Sequence, residues 1–522
     1  MITVLDYGSQ YTQLIARRLR SQGYATEVLA GSTPAATLAR RTPRPDGIIL
    51  SGSPASVGQG YDPDPALLDL GIPILGLCFG YQWLAQVLGG QVAAAAHREY
   101  GAAVVQKTAA GRLDPLTARL SPSTQVWMSH GDSVVALPPG ASLLLSSGGK
   151  PAAFSLRSAS DAASSPSQPA RRLWGLQFHP EVYHTPEGKL LLESFARDIC
   201  QRQPDWNLRD ELEGVKSALV TELAGVPEVV CAVSGGVDST VMAVLLSQVT
   251  HVRALFVDHG FLRRYDVANL SRVFANYPTI RLEVLDASER FWGTLAGQSD
   301  PETKRRSMGR LFVETFADHV GREQFTHLAQ GTIYSDVIES AHNQLARAHT
   351  IKSHHNVGGF PDEWSRLKLI EPLRRFFKDE VREIGALLGI DPYILHQHPF
   401  PGPGLAIRCL GALSPERIEI LRCADAIFYE ELHARGLYDR TWQAFVVLLP
   451  VRSVGVMGDS RSYESALCIR AVSSVDAMTA EASELPLSDL KAIASRLVNE
   501  VRGINRVVYD LTSKPPGTIE WE

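Results

Sequence analysis

The chain has 522 residues, of which 45% are hydrophobic, 20% charged and 8% aromatic, a composition typical of globular domains. Its length corresponds to about three domains, and its composition excludes a disordered chain, a collagen and a coiled coil. The net charge of −5 provides no overall basic field of the kind that attracts nucleic acid.

The six cysteines lie far apart, with no CxxC pair. This spacing fits neither a disulfide framework nor a zinc knuckle, and it indicates a reducing compartment. The N-terminal sequence MITVLDYGSQYTQLIARRLR lacks the basic and apolar regions of a secretory signal. No apolar run reaches the roughly 18 residues needed to span a bilayer. We therefore expect a soluble, cytoplasmic protein without a membrane or nucleic-acid partner.

The first 200 residues alternate short apolar strands with amphipathic helices. ITVLDYG, GIIL and IPILGLC are typical of buried strands, whereas YTQLIARRLRSQGY and FGYQWLAQVLGG have helical spacing. This alternation predicts a doubly wound, mostly parallel sheet, with a more strand-rich pattern from about Val92. The small polar segment 158–170 is expected to be a flexible surface loop. PEGKLLLESFARDIC is expected to form the helix that ends a domain spanning residues 1–203.

A second strand–helix series begins at EVVCAVSGG and continues through HVRALFVDHG and IRLEVLDAS. It predicts another doubly wound, mostly parallel sheet, in a domain spanning residues 204–397. The remaining residues, 398–522, contain a helical pattern near 414–435 and the apolar run QAFVVLLPVRSVGV. They are expected to form a small α+β domain. The predicted fold class is therefore α/β, with two doubly wound domains followed by a small α+β domain.

A cysteine lies on a sharp turn between a predicted strand and a predicted helix. The sequence GLCFG surrounds Cys78 with small residues, as in a nucleophile elbow that carries Cys in place of Ser. The helix N-terminus favours a thiolate and offers backbone N–H groups to an oxyanion. His179 ends another strand and supplies a base, and Glu181 supplies a carboxylate to orient it. A buried structural thiol is the alternative for an isolated cysteine, but the combined pattern favours acyl transfer from an amide.

The segments GLCFGYQ and GLQFHPEV resemble the class I glutamine amidotransferases, which hydrolyse glutamine to glutamate and ammonia. The resemblance implies that the three residues just named act as nucleophile, general base and orienting carboxylate. It also implies oxyanion donors at the backbone N–H of Phe79 and near Gly52. The family usually has Gly-Gly-Pro where this chain has Gly-Ser-Pro, and Ser53 is expected to tighten or reposition that turn.

A glycine-rich loop follows the strand VVCAV and begins the next helix. Its glycines let the backbone approach an anion, while its hydroxyls and the helix N–H groups can bind phosphate oxygens. Asp238 would repel a bare phosphate, so we expect it to be a ligand of Mg²⁺. No GxxxxGK[ST] occurs, which excludes a Walker-type ATPase. An ordinary turn is the alternative. The predicted phosphate-binding residues are Ser234, Gly235, Gly236, Val237, Asp238 and Ser239.

The sequence SGGVDS resembles the signature of the ATP pyrophosphatases, which cleave ATP to AMP and pyrophosphate by adenylating an acceptor. The resemblance implies that Mg²⁺ enters with ATP and that Val257, in FVDHG, lies where adenine and ribose bind. It extends to QGTIYSDVIES, in which Ser335 stands where proline is usual.

Four further segments, IKSHHNVGG, LKLIEPL, HPFPGPGL and the closing INRVVYD…SKPPGTIEWE, extend the resemblance to the glutamine-hydrolysing GMP synthetases over essentially the whole chain. It implies glutamine, ATP and xanthosine monophosphate (XMP) as substrates, and a homodimer formed through the C-terminal domain. His354 and His355 are expected on a mobile loop that closes over nucleotides. Lys368 is expected to neutralise phosphates. Further candidates for binding XMP are Arg408, Arg470, Lys514, Thr518 and Glu520.

Three other functions fit parts of the chain. A different glutamine-dependent ligase, such as NAD synthetase, usually carries a nitrilase-like glutaminase. An RNA-modifying thiolase would need a pair of reactive cysteines near the loop, where only Cys231 lies. A non-catalytic nucleotide sensor would be expected to lack Cys78, His179 or Asp238. The favoured expectation is a two-site enzyme, in which ammonia released at Cys78 displaces AMP from adenylated XMP and gives GMP.

Overall fold

The structure is a computed structural model that describes residues 1–60, 62–157, 171–321, 325–338, 367–457, 460–474 and 479–522. These residues form two compact units, the first spanning Met1–Glu211 and the second Leu212–Val337 with residues 367–522. The predicted loop at 158–170 and the predicted lid residues His354 and His355 lie outside the described residues. The three-domain division, with boundaries at residues 203 and 397, stays a prediction.

The first unit is built on a large sheet, and its described strands follow the order β2-β1-β3-β4-β9-β8-β7-β5-β6. They are β1 (Ile2–Asp6), β2 (Thr26–Ala30), β3 (Gly47–Leu50), β4 (Ile74–Leu77), β5 (Gln91–Lys107), β6 (Ser123–Ala136), β7 (Ser142–Ser147), β8 (Lys150–Arg157) and β9 (Arg172–Leu176). β1–β4 and β9 are parallel, whereas β5–β8 pair antiparallel with their neighbours. The predicted change to a strand-rich pattern near Val92 marks the antiparallel half.

Helices cover both faces of this sheet because alternate side chains of a strand point to opposite faces. Ile2 and Val4 pack in one hydrophobic cluster with Leu19, whereas Leu5 packs in another with Leu84. The sheet is therefore doubly wound, as predicted. The helices are α1 (Thr12–Arg20), α2 (Ala35–Ala39), α3 (Phe79–Val87), α4 (Ala109–Leu113) and α5 (Gly188–Ser194), which continues as a π-helical turn over Phe195–Ile199; Pro65–Asp69 forms a 3-10 helix.

The second unit contains a parallel sheet with the described order β12-β11-β10-β13-β14. Its strands are β10 (Glu228–Ala232), β11 (His251–Asp258), β12 (Ile280–Asp286), β13 (His327–Ala329) and β14 (Lys368–Ile370). Its helices are α6 (Leu208–Glu222), α7 (Val237–Ser247), α8 (Asp266–Phe274), α9 (Ser288–Leu295), α10 (Pro301–Gly321), α11 (Lys378–Leu387) and α12 (Pro392–Leu395). The strand order reverses beside β10, and ligands of such sheets bind at the carboxyl ends of the strands at this switch point.

The C-terminal part of the second unit is α+β, as predicted. It contains α13 (Pro415–Ala434), α14 (Leu487–Glu500), β15 (Gln443–Met457), β16 (Ser460–Ser473), β17 (Glu481–Ala482), β18 (Ile504–Tyr509) and 3-10 helices at Gly404–Ile407 and Tyr438–Arg440. β16 pairs antiparallel with β15 and parallel with β18. Phe261 and Phe291, beside the parallel sheet, share one hydrophobic cluster with Leu421, Leu448 and Ile504. Among the described helices, none combines the length and hydropathy needed to cross a membrane.

Candidate active sites

Cys78 occupies a strained turn between β4 and α3. Its φ of +50° lies in the left-handed region, which non-glycine residues rarely adopt. A Cβ atom on Gly76 would lie 2.4 Å from the carbonyl oxygen of Gly80, and one on Gly80 would lie 2.6 Å from the carbonyl oxygen of Leu50. Both glycines are therefore required by close backbone packing. The result is the elbow that GLCFG predicts, with the cysteine at the amino end of α3.

His179 and Glu181 form a buried pair at this cysteine. His179 Nδ1 lies 2.7 Å from Glu181 Oε1, and the exposed fractions of the two residues are 3% and 2%. Burial by itself lowers the pKa of His179, but the Glu181 carboxylate and a hydrogen bond with Cys78 outweigh it and raise that pKa to about 10. The three predicted residues thus meet in one site, in an arrangement that stabilises an imidazolium beside the sulfur.

Several side chains that sequence motifs did not reveal hold this pair in place. The Thr185 hydroxyl donates to the carbonyl oxygen of His179 at 2.7 Å, and Arg18 Nε donates to that of Glu181 at 2.9 Å. Tyr11 packs edge-on against the imidazole, with ring centroids 4.8 Å apart. Arg18 and Tyr11 are remote from His179 in the sequence, so only the fold reveals their roles.

The predicted oxyanion donors lie beside two of the predicted catalytic residues. Phe79 is the first residue of α3, so its backbone N–H has no acceptor within the helix. Gly52 lies against the His179 imidazole, because a Cβ atom there would be 3.2 Å from His179 Cε1. Ser53 Oγ accepts a hydrogen bond from Ala55 N at 3.1 Å and so closes its own turn. The oxyanion role of Phe79 and Gly52 stays a prediction.

The other five cysteines lie outside the GLCFG elbow. All are free thiols, and burial is the main cause that raises the pKa of each. Cys231 lies fully buried in β10, which argues against the paired reactive cysteines of a thiolase. These five thiols are Cys200, Cys231, Cys409, Cys423 and Cys468.

The glycine-rich loop follows the carboxyl end of β10 and leads into α7. Gly235 has a φ of +76°, and Gly236 immediately precedes the helix. Ser239 Oγ accepts from Ser234 N at 3.2 Å and donates to the carbonyl oxygen of Gly236 at 3.1 Å. The serines therefore shape the loop around its glycines, and the N–H groups of the first turn of α7 are available to an anion.

Asp238 contacts a lysine that motif reading missed. Its Oδ2 lies 2.6 Å from Lys378 Nζ, while its Oδ1 is buried and has no hydrogen-bond partner among the described residues. Lys378 is the first residue of α11, where a cation interacts unfavourably with the helix dipole. This unfavourable position was the one sequence signal that could have indicated a role for Lys378. The oxygen left without a partner fits a cation ligand.

Lys368 lies at the opposite end of the parallel sheet. It pairs with His327 at the amino ends of β14 and β13, and its Nζ lies 2.9 Å from Glu222 Oε1. The glycine-rich loop follows the carboxyl end of β10, and parallel strands present their two ends at opposite edges of a sheet. This placement argues against the predicted contact between Lys368 and phosphate. Among the described lysines, Lys378 is the one paired with the loop carboxylate.

Two other predicted segments flank the loop. Val257 is buried near the carboxyl end of β11, the strand beside β10. Gly331, in the QGTIYSDVIES segment, lies so close to α7 that a Cβ atom would be 3.2 Å from Ser239 N. Asp336 accepts a hydrogen bond from Ile333 N at 3.0 Å and so shapes that segment. The carboxyl edge of the sheet therefore collects the segments that resemble the pyrophosphatases.

Buried Arg408 and partly buried Glu520 form a bidentate pair in the C-terminal part. Arg408 is 3% exposed, and its Nη2 and Nε lie 2.8 and 3.2 Å from the two carboxylate oxygens of Glu520. Gln443 Nε2 donates to the same carboxylate at 2.8 Å. The tail that carries Thr518 and Glu520 is thus held against the segment that carries Arg408. Gln443 was not predicted, since a single glutamine in an apolar strand carries no motif.

Arg470 is fully buried and supports the same tail. Its guanidinium donates to the carbonyl oxygens of Thr512 at 2.5 Å and Thr518 at 3.0 Å. Lys514 is held by its backbone, whose N–H donates to the carbonyl oxygen of Ala480 at 2.7 Å. Because the Arg470 guanidinium is hydrogen-bonded to these main-chain carbonyls, it positions the tail that carries Thr518 and Glu520. This placement argues against the predicted contact between Arg470 and a substrate phosphate.

Comparison with known proteins identifies relatives over the whole chain. Residues 3–199 match the family described as glutamine amidotransferase class-I, and residues 430–521 match the GMP synthase C terminal domain. A GMP synthase (glutamine-hydrolyzing) from Phenylobacterium zucineum is 47% identical over 100% of this chain and 98% of its own. A protein of the same name from Chlorobium limicola is 48% identical over 100% and 99%. The structure of a glutamine amidotransferase from Thermotoga maritima, 20% identical, superposes with a TM-score of 0.27 over 39% of this chain and 86% of that chain.

Proposed function

The chain belongs to the glutamine-hydrolysing GMP synthases, and on that premise we propose that it makes GMP from XMP, ATP and glutamine at two sites. The observation that carries the proposal is the buried His179–Glu181 pair at Cys78, because it unites a nucleophile, a base and an orienting carboxylate. The first site releases ammonia, and the second activates and aminates XMP.

At the first site, the Cys78 thiolate attacks the side-chain amide carbon of glutamine. The N–H groups of Phe79 and Gly52 bind the resulting oxyanion, and the His179 imidazolium gives its proton to the departing ammonia. Water then attacks the thioester, with His179 accepting its proton, and glutamate leaves as the thiolate returns. Glu181 holds the imidazole in the required orientation throughout, as the 2.7 Å contact allows.

At the second site, the substrate is Mg·ATP. The phosphates bind to the loop and the first turn of α7, and the partnerless Oδ1 of Asp238 is suited to the metal that ATP brings. The metal supplies charge neutralisation for the pyrophosphate. The C2 oxygen of XMP attacks the α-phosphorus and pyrophosphate leaves. Ammonia then displaces AMP from C2 and gives GMP. The contact of Lys378 with Asp238 supports a role for this lysine in balancing negative charge as pyrophosphate forms.

The C-terminal part supplies the XMP contacts. The Arg408–Glu520 pair holds the tail in place, so a 5′-phosphate would meet the ammonium of Lys514 and the hydroxyl of Thr518 that the tail presents. Binding requires the Arg408–Glu520 pair to stay aligned. The geometry of the tail is the support for these proposed XMP contacts.

The same C-terminal part is proposed to form a homodimer. Val454 and Tyr463 are cross-strand partners on the β15–β16 hairpin, and Val456 shares their face. Their exposed fractions are 49%, 61% and 75%. An apolar face of this kind is typical of a protein contact, and a second copy of the chain is the partner we propose. Val456→Glu is expected to give a monomer in sedimentation velocity. We also propose a cytoplasmic location, which the free thiols favour.

The test of the two-site proposal measures GMP and AMP from XMP and Mg·ATP, with either glutamine or ammonium chloride as nitrogen donor. The wild type is expected to form both products with either donor. Cys78→Ala is expected to retain only the ammonium-dependent reaction, and Cys200→Ala, another thiol of the first unit, is the matched control. Loss of both reactions in Cys78→Ala would contradict two separate sites. A wild type that forms no GMP with either donor would reject XMP as the substrate.

A further inference from the structure

A fully buried lysine in α10 holds the last residue of the chain. Lys304 has no exposed surface, and its Nζ lies 2.5 Å from Glu522 Oε2 and 2.9 Å from the carbonyl oxygen of Cys409. Arg305 donates to the main-chain oxygen of Glu522, and Gly411 N donates to Oε1 of the same side chain at 3.3 Å. A buried ammonium is tolerated only when it is paired in this way.

Both partners of Lys304 lie next to the proposed XMP contacts. Cys409 follows Arg408, and Glu522 is two residues beyond Glu520. The Lys304 ammonium therefore links the two chain segments that carry the bidentate Arg408–Glu520 pair. Displacing it would move the Arg408 backbone and the Glu520 backbone independently, so the 2.8 Å and 3.2 Å contacts between them would no longer be maintained.

We propose that the Lys304–Glu522 pair is a positioning device that sets the XMP site, and this rests on the proposed function. Buried ion pairs are poor sources of stability, since apolar residues of similar size often stabilise a core as well or better. Neither side chain of the pair is among the proposed XMP contacts. Its effect is to fix the spacing between Arg408 and the tail, which carries Lys514, Thr518 and Glu520.

The experiment compares Lys304→Met, Glu522→Gln and the double variant Lys304→Met/Glu522→Met in ammonium-dependent GMP synthesis by the full chain. Each is expected to raise the KM for XMP at least about tenfold while the KM for ATP stays within about twofold. Arg306→Met, an exposed position on the same helix, is the control and is expected to change neither.

The double variant distinguishes a positioning role of the Lys304–Glu522 pair from a role in folding. Removing both charges is expected to restore the thermal midpoint that the single variants lose, because no buried charge is left unpaired. The KM for XMP should nevertheless stay high. The inference would be overturned if the double variant recovered both the KM for XMP and the thermal midpoint. It would also be overturned if folded single variants had an unchanged KM for XMP. A wild type that makes no GMP would instead reject the proposed function itself, and so the two failures are distinguishable.

Discussion

A single methyl group at Gly188 should disturb the glutaminase site without touching any of its reacting groups. Gly188 begins α5, and a Cβ atom there would lie 1.9 Å from the carbonyl oxygen of Pro180. Pro180 is the residue between His179 and Glu181. The substitution Gly188→Ala therefore acts through the short segment that carries both members of the buried pair.

The structure sets the size of the effect. Real Cβ contacts almost never fall below 3.0 Å, so the Pro180 carbonyl and α5 must separate by about 1.1 Å. A misplacement of about 1 Å in a catalytic group costs on the order of 100-fold in rate, which corresponds to about 2.7 kcal/mol in the barrier. We expect the glutamine-dependent kcat of Gly188→Ala to fall by this factor.

The assay measures GMP formation with glutamine and with ammonium, together with thermal unfolding. The ammonium-dependent rate is expected to remain within about twofold of the wild type, because the second site is untouched. Gly214→Ala is the matched control, since a Cβ atom there meets nothing within 4 Å. A folded Gly188→Ala variant with normal glutamine-dependent activity would refute the argument from crowding, and loss of both activities would show that the damage is not local.

Three further changes test other parts of the molecule. Glu181→Gln is expected to lower glutamine-dependent kcat by about 10³–10⁴-fold and to spare the ammonium reaction, because an amide cannot stabilise the imidazolium; a loss below tenfold would contradict an essential carboxylate. Lys378→Met is expected to raise the KM for ATP at least about tenfold with both nitrogen donors, whereas an unchanged KM would remove it from the nucleotide site. Burial lowers the pKa of His259 and of His398 to about 4. Each group stabilises the fold fully above the unfolded pKa of about 6.5, and this contribution is lost as the pH falls towards 4. Urea unfolding at pH 7.5 and pH 5 should therefore show a loss on the order of a few kcal/mol, and His398→Gln should reduce that loss.

The elements that the sequence predicted best are those with a local cause. GIIL forms β3 over its predicted residues, and the helix expected near 414–435 runs over Pro415–Ala434 after the cap that Ser414 supplies. The elbow was also predictable, since a small-residue turn between an apolar strand and a helix leaves few alternatives. In each of these cases the signal lies within about twenty residues of the feature that it specifies.

Features that depend on distant segments were not predictable. Lys378 reaches Asp238 across 140 positions, and Arg408 meets Glu520 across 112. No sequence pattern connects residues that lie this far apart in the chain. The positions of Lys368 and Arg470 also depend on distant segments, and they argue against the expected phosphate contacts. A cation near a recognised motif in sequence can lie at the other edge of a sheet or inside the core.

Because the other five cysteine thiols are protected, a reagent can label the first site selectively. A thiol reacts with electrophiles as its thiolate, so the five cysteines whose pKa is raised by burial compete poorly for an alkylating reagent. Cys78 lies beside the His179 imidazolium. A glutamine-shaped electrophile would thus place one fluorophore or spin label on the elbow of the native enzyme, with no cysteine removed, and distances measured from it would report directly on the glutaminase unit.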